Sequence, residues 1–371
     1  MPTPAPMHIV CVIGTRPEVI KMAPVVHALS AVPGLRLTVL CSGQHRDLLA
    51  PLAEWFGLTF HQDLGVMTEE QFLAGLTSRL AAAFEHYLER ERPELVIAQG
   101  DTTTVMCVAL CCFYLKIPFA HVEAGLRTFD LENPFPEEFN RLVADRLARF
   151  HFCPTERAAR NVLAEGASPK GVLVTGNTVI DALYYTTAKL ASTPAPRPPH
   201  DVLLTVHRRE NFGAPLEGVF RAVLRLLEEH PALSVLYPVH PNPNVRKPAY
   251  ALLGGHPRIT LTEPLGYPDL VRAMQDARLI LTDSGGIQEE APALGKPVLV
   301  LRRVTERPEA VELGVAELVG TEEEAILSAC RRLLTDPAQY AHMARGVSPY
   351  GDGRAAARIR EALCTAFQAR R

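Results

Sequence analysis

Short apolar runs and longer amphipathic stretches alternate along this chain from end to end. Residues 8–13 are an apolar run closing on Gly14, the pattern of a strand buried on both faces. Residues 17–29 follow as a helix, with Pro17 suited to its first turn. Residues 37–41 read as a second strand. Residues 68–90 read as a long helix with Leu76, Leu80, Phe84 and Leu88 on one face, and Pro93 marks its end. Thr68 to Gln71 has the form of a capping box at its start. Strands are predicted at 95–98 and 118–122. The same grammar restarts after residue 200, with strands at 202–206, 234–239, 259–261, 279–282 and 298–301. A last helix, about 353 to 369, has no strand after it and is expected to pack back on the first half.

Strands alternating with helices imply parallel sheets covered on both faces. A length of 371 residues suits two domains. The division predicted is 1–175 and 176–352, with helix 353–371 returning to the first domain. Pro194, Pro196, Pro198 and Pro199 stiffen the segment 192–199, a linker or a surface loop. The fold class expected is α/β, two Rossmann-like doubly wound domains facing across a cleft. In such sheets ligands bind beyond the carboxyl ends of the strands. The polar clusters fall at those ends: Gly14-Thr15-Arg16, Gly100-Asp101-Thr102, Glu123-Ala124-Gly125, His207 to Glu210, His240, and Asp283 to Gly286.

Composition narrows the class. Hydrophobic residues are 47% and charged residues 21%, a globular balance. The formal net charge is -3 with no basic block, so no nucleic-acid partner is expected. No apolar run reaches the roughly 18 residues of a membrane helix, and no membrane association is expected. The N-terminus lacks the basic region of a signal peptide. The eight cysteines form no CxxC pair and no zinc-ligand spacing, which points to reduced, buried thiols, a cytoplasmic location and no metal.

The candidate chemistry centres on 281–290, where a strand ends, Ser284, Gly285 and Gly286 follow, and a helix begins. Glycines let backbone N–H groups approach an anion, and the helix dipole favours negative charge there, so a diphosphate is the natural guest. Glu290, a turn and a half further on, suits the hydroxyls of a ribose. Arg16 and Lys21, at and just beyond the start of the first helix, are candidate anion partners, and Arg307 is a third cation. Asp101 and Glu123 end predicted strands of the first domain. As neighbours they would raise one another's proton affinity, which suits general acid/base work. Glu137 with Glu138, and His207, complete the set. Each of these has a plainer reading as well: solvated helix-start charge for Arg16, Lys21, Glu137 and Glu138, a helix cap for Asp101, a structural imidazole for His207.

At this point ten strings match one family. They are GTRPEVIKMAP (14–24), GDTTT (100–104), HVEAGLRT (121–128), NPFPEEFNR (133–141), TGNTVIDAL (175–183), HRRENFG (207–213), YPVHPNPNVR (237–246), LTDSGGIQEEAPALGKPVLVLR (281–302), TERPEAV (305–311) and PYGDG (349–353). The chain resembles the bacterial non-hydrolysing UDP-N-acetylglucosamine 2-epimerases. The resemblance implies a glycosyltransferase-B type fold and inversion at C2 between UDP-GlcNAc and UDP-ManNAc, through elimination and re-addition of UDP with 2-acetamidoglucal between them. No cofactor is implied. It places catalytic roles on Asp101, Glu123, Glu137 and His207. It places substrate binding on Arg16, Lys21, Ser284, Gly285, Gly286, Glu290 and Arg307. It also implies a second, activating UDP-GlcNAc lined by Gln44, His45, Arg46, Arg208 and His240, a homodimer, and supply of cell-surface polysaccharide synthesis. Three positions depart from the family pattern: Asp47 where relatives often have Glu or Gln, Gln99 where many have His, and Leu270 where many have Phe under the uracil. The competing readings are a hydrolysing 2-epimerase releasing ManNAc and UDP, a UDP-sugar glycosyltransferase, and a UDP-sugar sensor without catalysis.

Overall fold

The computed structural model describes residues 7–43, 46–66, 72–192 and 199–368. The chain divides into two compact units, Met1–Ala182 with Tyr350–Arg371, and Leu183–Pro349. The division falls after Ala182, where the sequence placed it after Thr175.

The first unit runs β1 (Met7–Ile13), α1 (Arg16–Ser30), β2 (Leu35–Cys41), α2 (Arg46–Phe56), β3 (Gln62–Asp63), α3 (Leu73–Glu91), β4 (Leu95–Gln99), α4 (Thr103–Leu115), β5 (Phe119–Val122), α5 (Glu137–Leu147), β6 (Phe150–Cys153), α6 (Glu156–Ala164), β7 (Val172–Val174) and α7 (Thr178–Leu190), which crosses the division. The second runs β8 (Val202–Thr205), α8 (Ala214–Glu229), β9 (Val235–Pro238), α9 (Pro243–Leu253), β10 (Ile259–Thr262), α10 (Tyr267–Asp276), β11 (Leu279–Thr282), α11 (Gly285–Ala293), β12 (Val298–Val300), α12 (Pro308–Glu312), β13 (Ala316–Leu318), α13 (Glu323–Thr335) and α14 (Pro337–Met343). The last helix, α15 (Ala355–Gln368), belongs to the first unit and packs on α1.

Each unit holds one parallel sheet. The orders are β3-β2-β1-β4-β5-β6-β7 and β10-β9-β8-β11-β12-β13. Both are doubly wound, and the winding direction reverses between β1 and β4 in one and between β8 and β11 in the other. These are the topological switch points at which such sheets bind ligands. The central strands explain the sheet. Ile9 to Ile13 of β1 are all essentially inaccessible, as are Leu95 to Ala98 of β4. Covered on both faces, such strands are continuous apolar runs, and each buried Val, Ile or Leu is worth roughly 1.5–3 kcal/mol over its exposed state.

Two expectations change. The long helix begins at Leu73 after Phe72 as N-cap, and 67–71, with the predicted capping box, lie outside the described residues. Four strands had no counterpart in the sequence reading: β3, β6, β7 and β13. Within the described residues no helix is long and apolar enough to cross a membrane. All eight cysteines are free thiols, seven of them buried.

Candidate active site

In the first unit, the loop after β1 is tied down by Glu18 of α1. This carboxylate accepts the amides of Gly14 and of Thr15 (3.1 Å). Its other oxygen accepts the Thr102 hydroxyl, at 2.7 Å, from the loop after β4. One buried carboxylate therefore closes the switch point. Burial pushes its proton affinity up, against the opposing effect of those three donors, to a pKa of about 7. The sequence reading gave Glu18 no role; an acid following Gly-Thr-Arg-Pro at a helix start was the available signal.

Glu123, just past β5, is 8% exposed and has φ +68, a left-handed conformation uncommon for a side chain of its size. Such a geometry persists where surroundings over-determine it, and it clusters at functional sites. Both carboxylate oxygens lie 2.7 Å from the Lys21 ammonium. Asn177 Nδ2 donates to it at 3.0 Å, and Gln99 Nε2 donates as well. Lys21, expected to meet an anion of the substrate, compensates a carboxylate of the protein. The family-atypical Gln99 is one of its donors. The turn is held open by Gly125 at φ +87, where a Cβ would come within 2.1 Å of the Ala158 carbonyl oxygen.

Asp101 lies past the end of β4, the neighbour of β5 in the sheet. Its carboxylate pairs with Arg141 of α5, and its carbonyl accepts from Asn140 Nδ2 at 2.9 Å. The sequence argument set Asp101 and Glu123 against each other as like charges. Each has its own cation, Arg141 for one and Lys21 for the other. Of the acidic pair opening α5, Glu138 is buried and structural: it accepts the amides of Thr128 (3.1 Å) and Phe129 (3.0 Å) and pairs with Arg141 at 3.1 Å. Glu137 is half-buried at the first position of α5. Arg16 is exposed at the first position of α1.

In the second unit the switch point is closed by Asp283, which is fully buried. It accepts the amides of His207 (2.9 Å) and Arg208 (2.8 Å) from the loop after β8, and Asn211 Nδ2 at 2.9 Å. The His207 ring Nδ1 also lies 3.2 Å from it. Burial holds the His207 pKa below the ordinary range, with Asp283 opposing and Arg208 and His240 adding to the effect. The ring stacks on His240, centroids 5.3 Å apart and planes 13° apart. Two histidines assigned to different roles thus share one stack. Arg208 Nε is buried without a hydrogen-bond partner among the described residues.

Ser284 is the N-cap of α11, and its hydroxyl makes no capping bond. The first N–H groups of a helix have no partners within it. Arg307 lies directly over this end: a Cβ on Gly285 would meet its Cζ at 2.7 Å. The guanidinium is held by Glu289 at 2.7 Å. Its backbone is fixed through Thr305, whose hydroxyl accepts the Arg307 amide and donates to Gln288 at 2.6 Å. A helix N-terminus and a fixed guanidinium together make an anion seat. One turn on, Glu290 accepts the Tyr267 hydroxyl at 2.6 Å. Among the described residues no group of three or more His, Cys, Asp or Glu is gathered as for a metal. Gln44 and His45 lie outside the described residues, and Arg46 opens α2.

The family model for UDP-N-acetylglucosamine 2-epimerase matches residues 27–364. The UDP-N-acetylglucosamine 2-epimerase of Escherichia coli K12 is 45% identical over 96% of this chain and 98% of its own. That of Bacillus subtilis 168 is 44% identical over 96% and 95%. Among solved structures, the Neisseria meningitidis UDP-GlcNAc 2-epimerase bound to UDP-GlcNAc superposes with a TM-score of 0.90 at 42% identity, covering 97% of this chain and all of that one. The Methanocaldococcus jannaschii enzyme in complex with UDP-GlcNAc and UDP gives 0.78 at 32% identity over 97% and 100%. With both sheets and nearly the whole length accounted for, the chain belongs to the UDP-N-acetylglucosamine 2-epimerase family.

Proposed function

We propose that this protein interconverts UDP-GlcNAc and UDP-ManNAc by eliminating UDP and adding it back. No carbonyl adjoins C2 of the sugar, so its proton is barely acidic and direct abstraction is slow. Elimination avoids that carbanion. The C1–O bond breaks with its electron pair leaving on UDP, the C2 proton passes to a base, and 2-acetamidoglucal forms. UDP then returns to C1 while a proton is delivered to the other face of C2. The sequence involves no net oxidation, so it needs no redox cofactor.

The observation that carries this reading is Glu123: a buried carboxylate in a left-handed backbone, gripped by Lys21, Gln99 and Asn177. It is a fixed proton acceptor whose charge is already compensated. Asp101, paired with Arg141, and Glu137 are the other carboxylates proposed for proton transfer and for tolerating positive character on the sugar. His207, kept neutral by burial, is the fourth catalytic group. Arg307, Arg16, Ser284, Gly285 and Gly286 hold the departing diphosphate, whose negative charge grows as the bond breaks. Glu290 takes the ribose. Lys21 acts through Glu123. A second UDP-GlcNAc at Arg208 and His240 as activator, a homodimer and a role in cell-surface polysaccharide supply complete the proposal. The unpartnered Arg208 Nε is the feature that favours an anion there.

Incubation with UDP-GlcNAc in deuterated water, followed by proton NMR, tests the route. UDP-ManNAc should appear, with deuterium entering C2 of both epimers. Epimerisation with the C2 hydrogen retained would remove the elimination route. Accumulation of free ManNAc and UDP would identify a hydrolysing enzyme. For the activator, a reaction started from pure UDP-ManNAc should stay slow until a trace of UDP-GlcNAc is added; a full rate at once would show that no second site operates.

A further inference from the structure

His121, the penultimate residue of β5, is fully buried and has no place in the proton transfers above. Its ring nitrogens have two partners. Nε2 lies 2.7 Å from the Gly100 carbonyl oxygen, and Nδ1 lies 2.6 Å from a carboxylate oxygen of Asp145 on α5. A carbonyl oxygen can only accept. An ionised carboxylate can only accept. Satisfying both therefore requires a proton on each ring nitrogen. From the inventory of donors and acceptors alone, the ring is an imidazolium.

One bond ends on the loop after β4, and the other reaches the loop after β5 through Asp145. The Gly100 carbonyl belongs to the peptide plane whose nitrogen is that of Asp101. The second Asp145 oxygen accepts the Gly125 amide at 3.0 Å, two residues past Glu123. We propose that His121 is a positioning residue, an imidazolium that with Asp145 fixes the peptide plane before Asp101 and the turn after Glu123 as one unit. This rests on the reading in which Asp101 and Glu123 move the protons. The surrounding charges agree. Arg127, from the loop after β5, reaches Asp145 at 2.7 Å and Glu165 at 2.6 Å, so cation and anion alternate along the row His121, Asp145, Arg127, Glu165. His151 of β6 donates its Nε2 proton to the Asp145 carbonyl at 2.7 Å, and burial lowers its pKa, leaving it neutral. The Phe119 ring lies beside His121 with centroids 6.1 Å apart. Burial would lower the His121 pKa, but the charge and hydrogen bond of Asp145 and the Gly100 carbonyl outweigh it and raise it. Asp145 is the mirror case: burial raises it, and the charges of His121 and Arg127 hold it down at about 2.

Nitrogen-15 NMR of the full-length protein with labelled histidine tests the proposal. At pH 7.5 His121 should show a proton on both ring nitrogens. A bare nitrogen on His121 at that pH overturns it. The second arm is kinetic. His121→Asn can keep the Asp145 bond but not the Gly100 bond, and should lower kcat at least tenfold with UDP affinity within about twofold of the parent. Asp145→Asn, close to isosteric, should drop the His121 pKa into the range where the neutral ring appears, and lower kcat likewise. Parent-like kcat in either folded variant overturns the positioning role. If Asp101→Asn and Glu123→Gln retained full turnover while the NMR result held, the proton-transfer assignment would fail and the imidazolium would stand.

Discussion

The two sheets close their switch points in the same way and put the closure to different use. In each, one buried carboxylate accepts the first two free amides of a loop, Gly14 and Thr15 for Glu18, His207 and Arg208 for Asp283. Glu18 adds a threonine hydroxyl and, among the described residues, hydrogen-bonds no imidazole. Asp283 adds a side-chain amide and the His207 ring. The first closure is therefore a clasp, and the carboxylates proposed for proton transfer in that unit sit one and two strands away. The second closure belongs to the candidate site, because the carboxylate that ties the loop also lies against a titratable ring. Proximity to a switch point is thus no guide to role; what matters is whether the closing group has a titratable neighbour.

Four variants sharpen or break that contrast. The largest effect belongs to Asp101→Asn, which should lower kcat by roughly 10²–10⁴, the range for removing a positioned acid or base, while UDP binding survives. Near-parental turnover would remove Asp101 from the proton-transfer set. Next is Glu18→Gln. A folded pKa of about 7 lies above the unfolded 4.5, so Glu18 carries no ionisation cost below pH 4.5. The cost grows as pH rises and is complete above about 7, where it amounts to about 3 kcal/mol. Denaturation at pH 5 and pH 8 should show Glu18→Gln gaining on the parent as pH rises. Parallel stability curves would mean that the clasp is ionised at no cost. Asp283→Asn should leave the ring without its anion and lower kcat roughly tenfold to a hundredfold, with His207 titrating lower still. An unchanged pH profile would make Asp283 a clasp like Glu18. Gly285→Ala is the mildest. The new methyl would come within 2.7 Å of the Arg307 guanidinium and push it against its Glu289 partner, so UDP affinity should fall roughly threefold, on the scale of a helix-terminus charge interaction. Calorimetry with UDP reads it, and unaltered affinity would separate Arg307 from the anion seat.

The sequence disclosed what is local. β11, Leu-Ile-Leu-Thr, is buried throughout and runs straight into Asp283-Ser284-Gly285-Gly286, and it was legible to the residue. The anion seat was legible because Ser284, Gly285 and Gly286 are consecutive. β6 was not, because His151 interrupts its apolar pattern; the ring is buried by a bond to a carbonyl that the pattern cannot show. β3, β7 and β13 are two or three residues long and only partly buried, whereas the equally short β12 is fully buried and lies in the four-residue apolar run 298–301. The site's pairings are less legible still. Lys21 and Glu123 are 102 residues apart, and His207 and Asp283 are 76 apart, so the partner that defines each role is chosen by the fold. That is why Lys21 reads as a substrate ligand in sequence and as a counter-ion in the structure, and why Glu18, Asn177 and Arg141 had no role until then.

The chain leaves the first unit at Ala182 and returns to it at Tyr350. What returns is more than a tail: the Asp181 carboxylate accepts the first two amides of α15, Ala355 at 3.1 Å and Ala356 at 2.9 Å, and Ile359 and Leu363 are fully buried. Translation is vectorial, at about 5–20 residues per second. The first unit thus emerges from the ribosome incomplete and waits roughly ten to thirty seconds, while the whole second unit is made, before α15 exists to cover α1. The second unit is continuous and is finished first. In a growing chain, the half with the carboxylates proposed to move protons is the half that needs shielding from aggregation, and a stop codon shortly before residue 350 would leave it permanently in that state.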